Sequence, residues 1–248
     1  MFGTALLSTG LPLASLYGGF MESNLMGKGI VLLQIASSIV AAAIIIGKNR
    51  ELGGIMRNSK HFLREFLAGR DVLDYYLLRE KGSLTALELI YDRTCERMVK
   101  LLDPEMRRSV IGRQKEAANA ALTGREIELV RSTCEHTLQE EELRIENGMG
   151  LLATIVVASP MLGLLGTVWG VLDAFADMGA KGTVLLSLIA PAISSALVTT
   201  VVGLLVAIPS AIFYNNLSIK VRQLDTDMDG FADELMGRIA CEFQGGGS

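Results

Sequence analysis

The chain has 248 residues, half of them hydrophobic, with a mean hydropathy of +0.39 and a formal net charge of −4. It is too apolar for an average soluble domain and too charged for a wholly intramembrane one. The acidic balance and two histidines argue against a nucleic-acid partner, which favours a basic face. Cys95, Cys134 and Cys241 are far apart and lack paired spacing, so they read as free thiols rather than a metal site or disulfide framework.

In chain order, Met1 to Met26 is apolar but interrupted by Gly10, Pro12, Gly18 and Gly19, and it lacks the basic start of a secretory signal. A short interfacial helix is expected there. The run Gly29 to Gly47 is long enough to span a bilayer, and Lys48, Arg50, Arg57 and Lys60 follow it at once. The positive-inside rule puts that end in the cytoplasm and the N-terminus outside.

The charged segment that follows has helical periodicity, with Phe62, Phe66 and Leu73 early and Ile127, Val130, Cys134 and Leu138 later. Asp103 and Pro104 read as the cap and first turn of a helix. With no proline but Pro160 between Glu105 and Ala176, one long helix is expected to run from the cytoplasm through the membrane. Glu140-Glu-Glu142 reads as a solvated helix face, and His61 and His136 as ordinary surface or packing histidines.

Two further stretches, Leu151 to Leu172 and Thr183 to Ile219, contain no Asp, Glu, Lys or Arg and are separated by ten residues. They form a transmembrane hairpin, with Asp173, Asp177 and Lys181 in the turn and Lys220 and Arg222 beyond the last span. The charge asymmetry at all three spans agrees on one topology, with the C-terminus in the cytoplasm. Asp225-Thr-Asp-Met-Asp-Gly230 resembles half a calcium loop, but Met236 stands where the bidentate Glu is needed, so the helix is expected to continue through Leu224, Met228, Phe231 and Leu235. Gly245 to Ser248 reads as an appended linker.

Small residues form rows in the hairpin. Gly163, Gly166 and Gly170 lie in its first arm, Ser195, Thr199, Gly203, Ala207 and Ala211 repeat every four residues in its second, and Ala192, Ala196 and Thr200 form a neighbouring row. Such spacing lets helix backbones approach closely. It does not require Thr167, Thr199 and Thr200 near mid-membrane: those hydroxyls either bond back to helix carbonyls or face a polar conduit. Pro160, Pro191 and Pro209 each remove a helix hydrogen bond and can bend the spans, for packing or as a hinge. Trp169 and Tyr214 read as interface or packing aromatics.

In type, spacing and order, Ala158-Ser-Pro-Met-Leu-Gly-Leu-Leu-Gly-Thr-Val-Trp-Gly170 and the stretch from Pro191 to Asn216 resemble the membrane core of the MotA/TolQ/ExbB proton-channel family, most closely its TolQ and ExbB branch. The resemblance is specific over roughly residues 150 to 240. It implies an all-α membrane protein of the bacterial inner membrane, with three transmembrane helices and long helical cytoplasmic extensions, assembling as a pentameric ring.

The corresponding layout is a periplasmic or interfacial segment at 1–27, spans at 28–47, 148–172 and 183–219, a cytoplasmic helical domain at 48–147, a periplasmic turn at 173–182 and a cytoplasmic helix at 220–244, before the linker 245–248. Thr167 and Thr200 match the family's pore-lining threonines, with Thr199 and Ser195 beside them on the path. Many TolQ and ExbB proteins carry a glutamate where Ser195 stands. No span here holds a carboxylate, and serine does not titrate at physiological pH.

Intramembrane proton relays use Asp, Glu or His, so the titratable group has to come from another chain. The resemblance implies a single-span ExbD- or TolR-like subunit bearing a membrane aspartate, with a TolA- or TonB-like protein and membrane lipids as further partners. A non-conducting scaffold recruiting partners through its cytoplasmic helices is the competing reading. An enzyme is not expected, since the spans carry no nucleophile and base pair and the polar body no metal or phosphate-loop motif, and no cofactor is implied.

Overall fold

The computed structural model describes residues 24–69, 72–73, 75–76, 85–102, 104, 122–181 and 186–243, and among them the architecture is all-helical. Five helices account for it: α1 Leu25–Ala68, α2 Ala86–Leu101, α3 Gly124–Glu146, α4 Met149–Lys181 and α5 Leu186–Phe243. Three segments, within α1, across α3 and α4, and within α5, are long and apolar enough to cross a membrane. The interfacial helix expected before residue 24, and the helix start expected at Asp103, lie outside the described residues.

The chain divides into two compact units. The described residues up to Gly47 form one with Gly148–Leu217, and Lys48–Asn147 form the other with the described residues from Ser218. The first unit holds the apolar runs. There α1 and α4 are antiparallel neighbours, since Asn24 donates to Asp173, Gln34 to the Ser159 carbonyl, and Gly148 sits beside Ile44. Outward faces carry large apolar side chains such as Leu32, Ile39, Val157, Leu164 and Leu205, which a bilayer or further subunits can cover.

The second unit has its own core. Thr85 and Glu88 start α2 with a reciprocal capping box, and Thr123 and Glu126 do the same for α3, so each helix begins with two of its free N–H groups satisfied. α2 packs on α3, with Ile90, Tyr91, Cys95 and Met98 of the one and Ile127, Val130, Cys134 and Leu138 of the other buried. Cys95 and Cys134 are buried free thiols, and burial pushes both upward in pKa. Phe62 and Phe66 each meet Tyr91 and Phe231 edge to face, with Phe62 and Phe231 centroids 5.4 Å apart. The Arg238 guanidinium lies 4.8 Å over the Phe66 ring, a cation on an aromatic face.

Several expectations change. The single helix from Glu105 to Ala176 is interrupted at Asn147 and Gly148, where Gly148 takes φ +86°, a conformation that side chains other than glycine rarely adopt. α4 then runs on through Asp173 to Lys181, where a turn was expected, because nothing in that stretch breaks a helix; residues 182–185 lie outside the described residues. The Glu140 to Glu142 triad is not a uniformly solvated face: Glu141 is 4% exposed and pairs with Arg144 at 3.2 Å. As expected, Asp225 to Gly230 is continuous helix within α5, and Leu224, Met228, Phe231 and Leu235 are buried along it.

Candidate functional site

α4 and α5 meet along an antiparallel seam made by the smallest residues in each. A Cβ placed on Gly163 would lie 2.8 Å from the Thr200 Cα and 3.0 Å from the Thr199 carbonyl oxygen. On Gly170 it would come 2.6 Å from the Ala196 Cβ, and on Gly166 it would collide with the Thr199 hydroxyl. On Gly203 it would meet the Ser159 carbonyl at 2.6 Å. All four obstacles include backbone or Cβ atoms that cannot swing away, so the seam tolerates only glycine at these points. Ala196 and Ala207 are buried on the same face of α5.

The seam brings hydroxyls onto carbonyls. Thr200 donates to the Gly163 carbonyl at 2.9 Å, across the helix pair. Thr199 lies within reach of two acceptors, the Ala196 carbonyl in its own helix at 2.7 Å and the Gly163 carbonyl at 3.1 Å, and its one proton can serve only one at a time. Ser195 and Thr167 bond back within their own helices, to Ala192 and Leu164 at 2.9 and 2.7 Å.

Burial separates the four hydroxyls. Thr199 is 1% and Ser195 6% exposed, sealed within the chain, whereas Thr167 and Thr200 are half-buried. Each donates its proton to a carbonyl and keeps lone pairs on the oxygen, so what Thr167 and Thr200 offer outward is an acceptor. The prolines sit within unbroken helix: Pro160 is half-buried in α4, and Pro191 and Pro209 are exposed in α5. Pro160 and Pro209 deny the Val156 and Leu205 carbonyls their usual N–H partners.

One polar residue was missed by sequence reasoning. Gln34, in the middle of the first apolar run, is fully buried and donates its amide to the Ser159 carbonyl at 3.2 Å, on the same turn that Gly203 leaves open. Its signal was a lone amide in an otherwise apolar span, which the intramembrane-polarity rule flags. Across the three apolar runs, 29–47, 149–172 and 190–219, there is no Asp, Glu, Lys, Arg or His. The site can therefore orient water, accept hydrogen bonds and pack tightly, and it has no charge of its own.

A sequence model of the MotA/TolQ/ExbB proton channel family matches residues 104–230, which include α3, α4 and most of α5. The chain belongs to this family. Among relatives, it is 31% identical over 220 residues to the Tol-Pal system protein TolQ of Haemophilus influenzae, covering 87% of this chain and 90% of that one. It is 28% identical over 199 residues to the biopolymer transport protein ExbB of Pseudomonas putida, covering 80% of this chain and 55% of that one. A TolQ protein of Pseudomonas aeruginosa is 25% identical over 230 residues, with 89% and 90% covered. The glycine and hydroxyl seam thus lies inside the matched core of a proton-channel family, in a multi-pass protein with three helices able to span the membrane.

Proposed function

We propose that the protein is the proton-conducting subunit of an inner-membrane motor that uses the proton motive force, together with a single-span ExbD- or TolR-like subunit, to energise a process at the cell envelope. The observation that carries this reading is the pairing of two partly exposed hydroxyls, Thr167 and Thr200, with apolar runs, 149–172 and 190–219, that hold no carboxylate. Hydroxyls can pass a hydrogen bond along but cannot hold a charge in the membrane, so the carrier has to be a carboxylate from another chain. A membrane aspartate on the partner fits that need. Thr199, sealed inside the protomer, shares the Gly163 carbonyl with Thr200, and Ser195 bonds back within its own helix.

Five copies arranged with their α4 and α5 faces inward would enclose such a partner, and the outward apolar side chains would face lipid or the neighbouring copy. The basic residues after the first and last spans favour an orientation with the N-terminus in the periplasm and the C-terminus in the cytoplasm. Each proton crossing 100 mV releases about 2.3 kcal/mol, to be delivered through a TolA- or TonB-like protein. Near-complete overlap with the TolQ relatives, against about half of the Pseudomonas putida ExbB, favours the Tol-type role in outer-membrane maintenance over energising TonB-dependent transport.

The scaffold reading draws on one specific observation, that all four hydroxyl protons are already committed to carbonyls, as a seam built for packing alone would have them. The two readings separate on Thr167→Val and Thr200→Val, which keep shape and remove the oxygen. A channel loses proton flux and envelope function while the complex still assembles. Wild-type flux in the double variant would leave the scaffold as the better account.

A further inference from the structure

The polar seam does not end at Thr199 and Thr200. One turn closer to Gly148, Gln34 reaches from α1 to the Ser159 carbonyl, opposite Gly203 of α5, so three spans meet at one buried amide. The α1 and α4 register fixes its depth. Gln34 is ten residues from Asn24, which bonds Asp173, and ten from Ile44, which touches Gly148. At 1.5 Å per residue that is roughly 15 Å to either end, the middle of a hydrocarbon core of about 30 Å.

At that depth Gln34 Oε1 is buried without a hydrogen-bond partner. Turning the amide over does not help, because the oxygen would then face the Ser159 carbonyl, a second acceptor, and the one bond the side chain makes would be lost. Gly203 is part of the arrangement: a Cβ there would lie 2.8 Å from Gln34 Nε2 and 2.6 Å from the Ser159 carbonyl, so the amide fits only against glycine. Ser159 is itself 1% exposed and adds a buried hydroxyl to the same turn. A buried polar atom without a protein partner, as Gln34 Oε1 is, is satisfied by ordered water that also bonds a neighbouring polar group.

We infer that Gln34 and Ser159 hold a water molecule at the junction of the three spans, and that this water extends the hydroxyl row about 6 Å inward from Gly163 and Thr200 as a relay inside the protomer. The relay role rests on the channel reading; the water site does not. Its partners come from α1 and α4, with Gly203 of α5 providing the clearance, so the first span becomes part of the conduit rather than a mere anchor. This gives a chain without an intramembrane carboxylate a second hydrated station in place of a titratable one.

The test uses the full complex in liposomes. Selective 15N labelling of glutamine side chains and water-edited solid-state NMR read polarisation transfer from water to the Gln34 amide, assigned by its disappearance in Gln34→Met. Direct transfer from water to the Gln34 amide at short mixing times is expected, and transfer that appears only at long mixing times, well behind the solvent-exposed Gln223 side chain, would overturn the site. In flux, Gln34→Met is expected to lose ten-fold or more while melting stays within a few degrees of wild type. Wild-type flux in Gln34→Met would overturn the relay. Absence of flux in the unmodified complex would instead count against the channel reading, and with it the relay, while the water transfer still decides the site.

Discussion

Gly163→Ala is the most informative single change in the seam. The added methyl would sit 2.8 Å from the Thr200 Cα, 3.0 Å from the Thr199 carbonyl and 3.4 Å from the Thr200 carbonyl, so α5 itself has to move rather than a side-chain tip. Overpacking of this kind costs about 1–3 kcal/mol. Displacing α5 also loosens the Thr199 and Thr200 bonds to the Gly163 carbonyl, each worth roughly 0.6 kcal/mol between helices in a membrane. Against this, alanine is favoured over glycine in a helix by about 1 kcal/mol. The balance is a loss of about 1–3 kcal/mol, or roughly five- to hundred-fold in the folding equilibrium, since 1.4 kcal/mol is about ten-fold. Gly150→Ala is the control, because a Cβ there meets nothing within 4 Å and should be neutral or stabilising. Thermal or denaturant unfolding in mild detergent reads the difference. If Gly163→Ala were as stable as Gly150→Ala, the close approach of α4 and α5 would be wrong.

The second unit supports three further expectations. Thr123→Ala removes the hydroxyl that caps α3 and should lower stability by about 1 kcal/mol in chemical denaturation, with Thr123→Ser restoring most of it. Phe62, 2% exposed among three aromatic rings besides Phe66, should cost about 3–5 kcal/mol as Phe62→Ala, seen as a lowered melting temperature and protease sensitivity of the charged segment. Burial pushes the Glu141, Glu142 and Asp225 carboxyls upward, helped at Glu142 and Asp225 by neighbouring carboxylates including Asp229 and Glu146. Raised groups favour the folded state fully below the ordinary carboxylate value of about 4 and lose that contribution as pH rises through their folded values. Melting temperature should therefore rise when pH is lowered from neutral toward 5, and Asp225→Asn should flatten that slope; a slope of the opposite sign would refute the placement. Glu126, held low by bonds from Thr123, loses its contribution only as pH falls below the ordinary carboxylate range and so does not oppose the trend.

The spans were legible because a run of some 20 residues without charge has few soluble uses, and the family was legible from Gly163 to Gly170 and Pro191 to Asn216 because small residues and hydroxyls at a four-residue period are rare in lipid-facing helices. What the pattern could not give was pairing. That Thr200 and Thr199 share the Gly163 carbonyl, or that Gly203 faces Ser159, depends on the register of two helices, which no single helix encodes. Gln34 escaped for the same reason: one amide in a run of apolar residues acquires meaning only when α4 and α5 close around it. Glu141 looked solvated because its neighbours are charged, and its burial depends on which turn of α3 faces the unit's core. Gly148 read as a glycine within a helix, since only its φ of +86° distinguishes a break from a tolerated interior glycine. The boxes Thr85 to Glu88 and Thr123 to Glu126 could have been read directly from their spacing, as markers of where α2 and α3 begin.

In the proposed motor this chain supplies the path and another chain supplies the charge. Proton flux into liposomes containing the protein, with and without its single-span partner, measures it directly, with the partner's membrane aspartate changed to asparagine as the decisive arm. Flux is expected only when both chains are present and the aspartate is intact. Flux from this protein alone, or undiminished flux with asparagine in a verified complex, would contradict it.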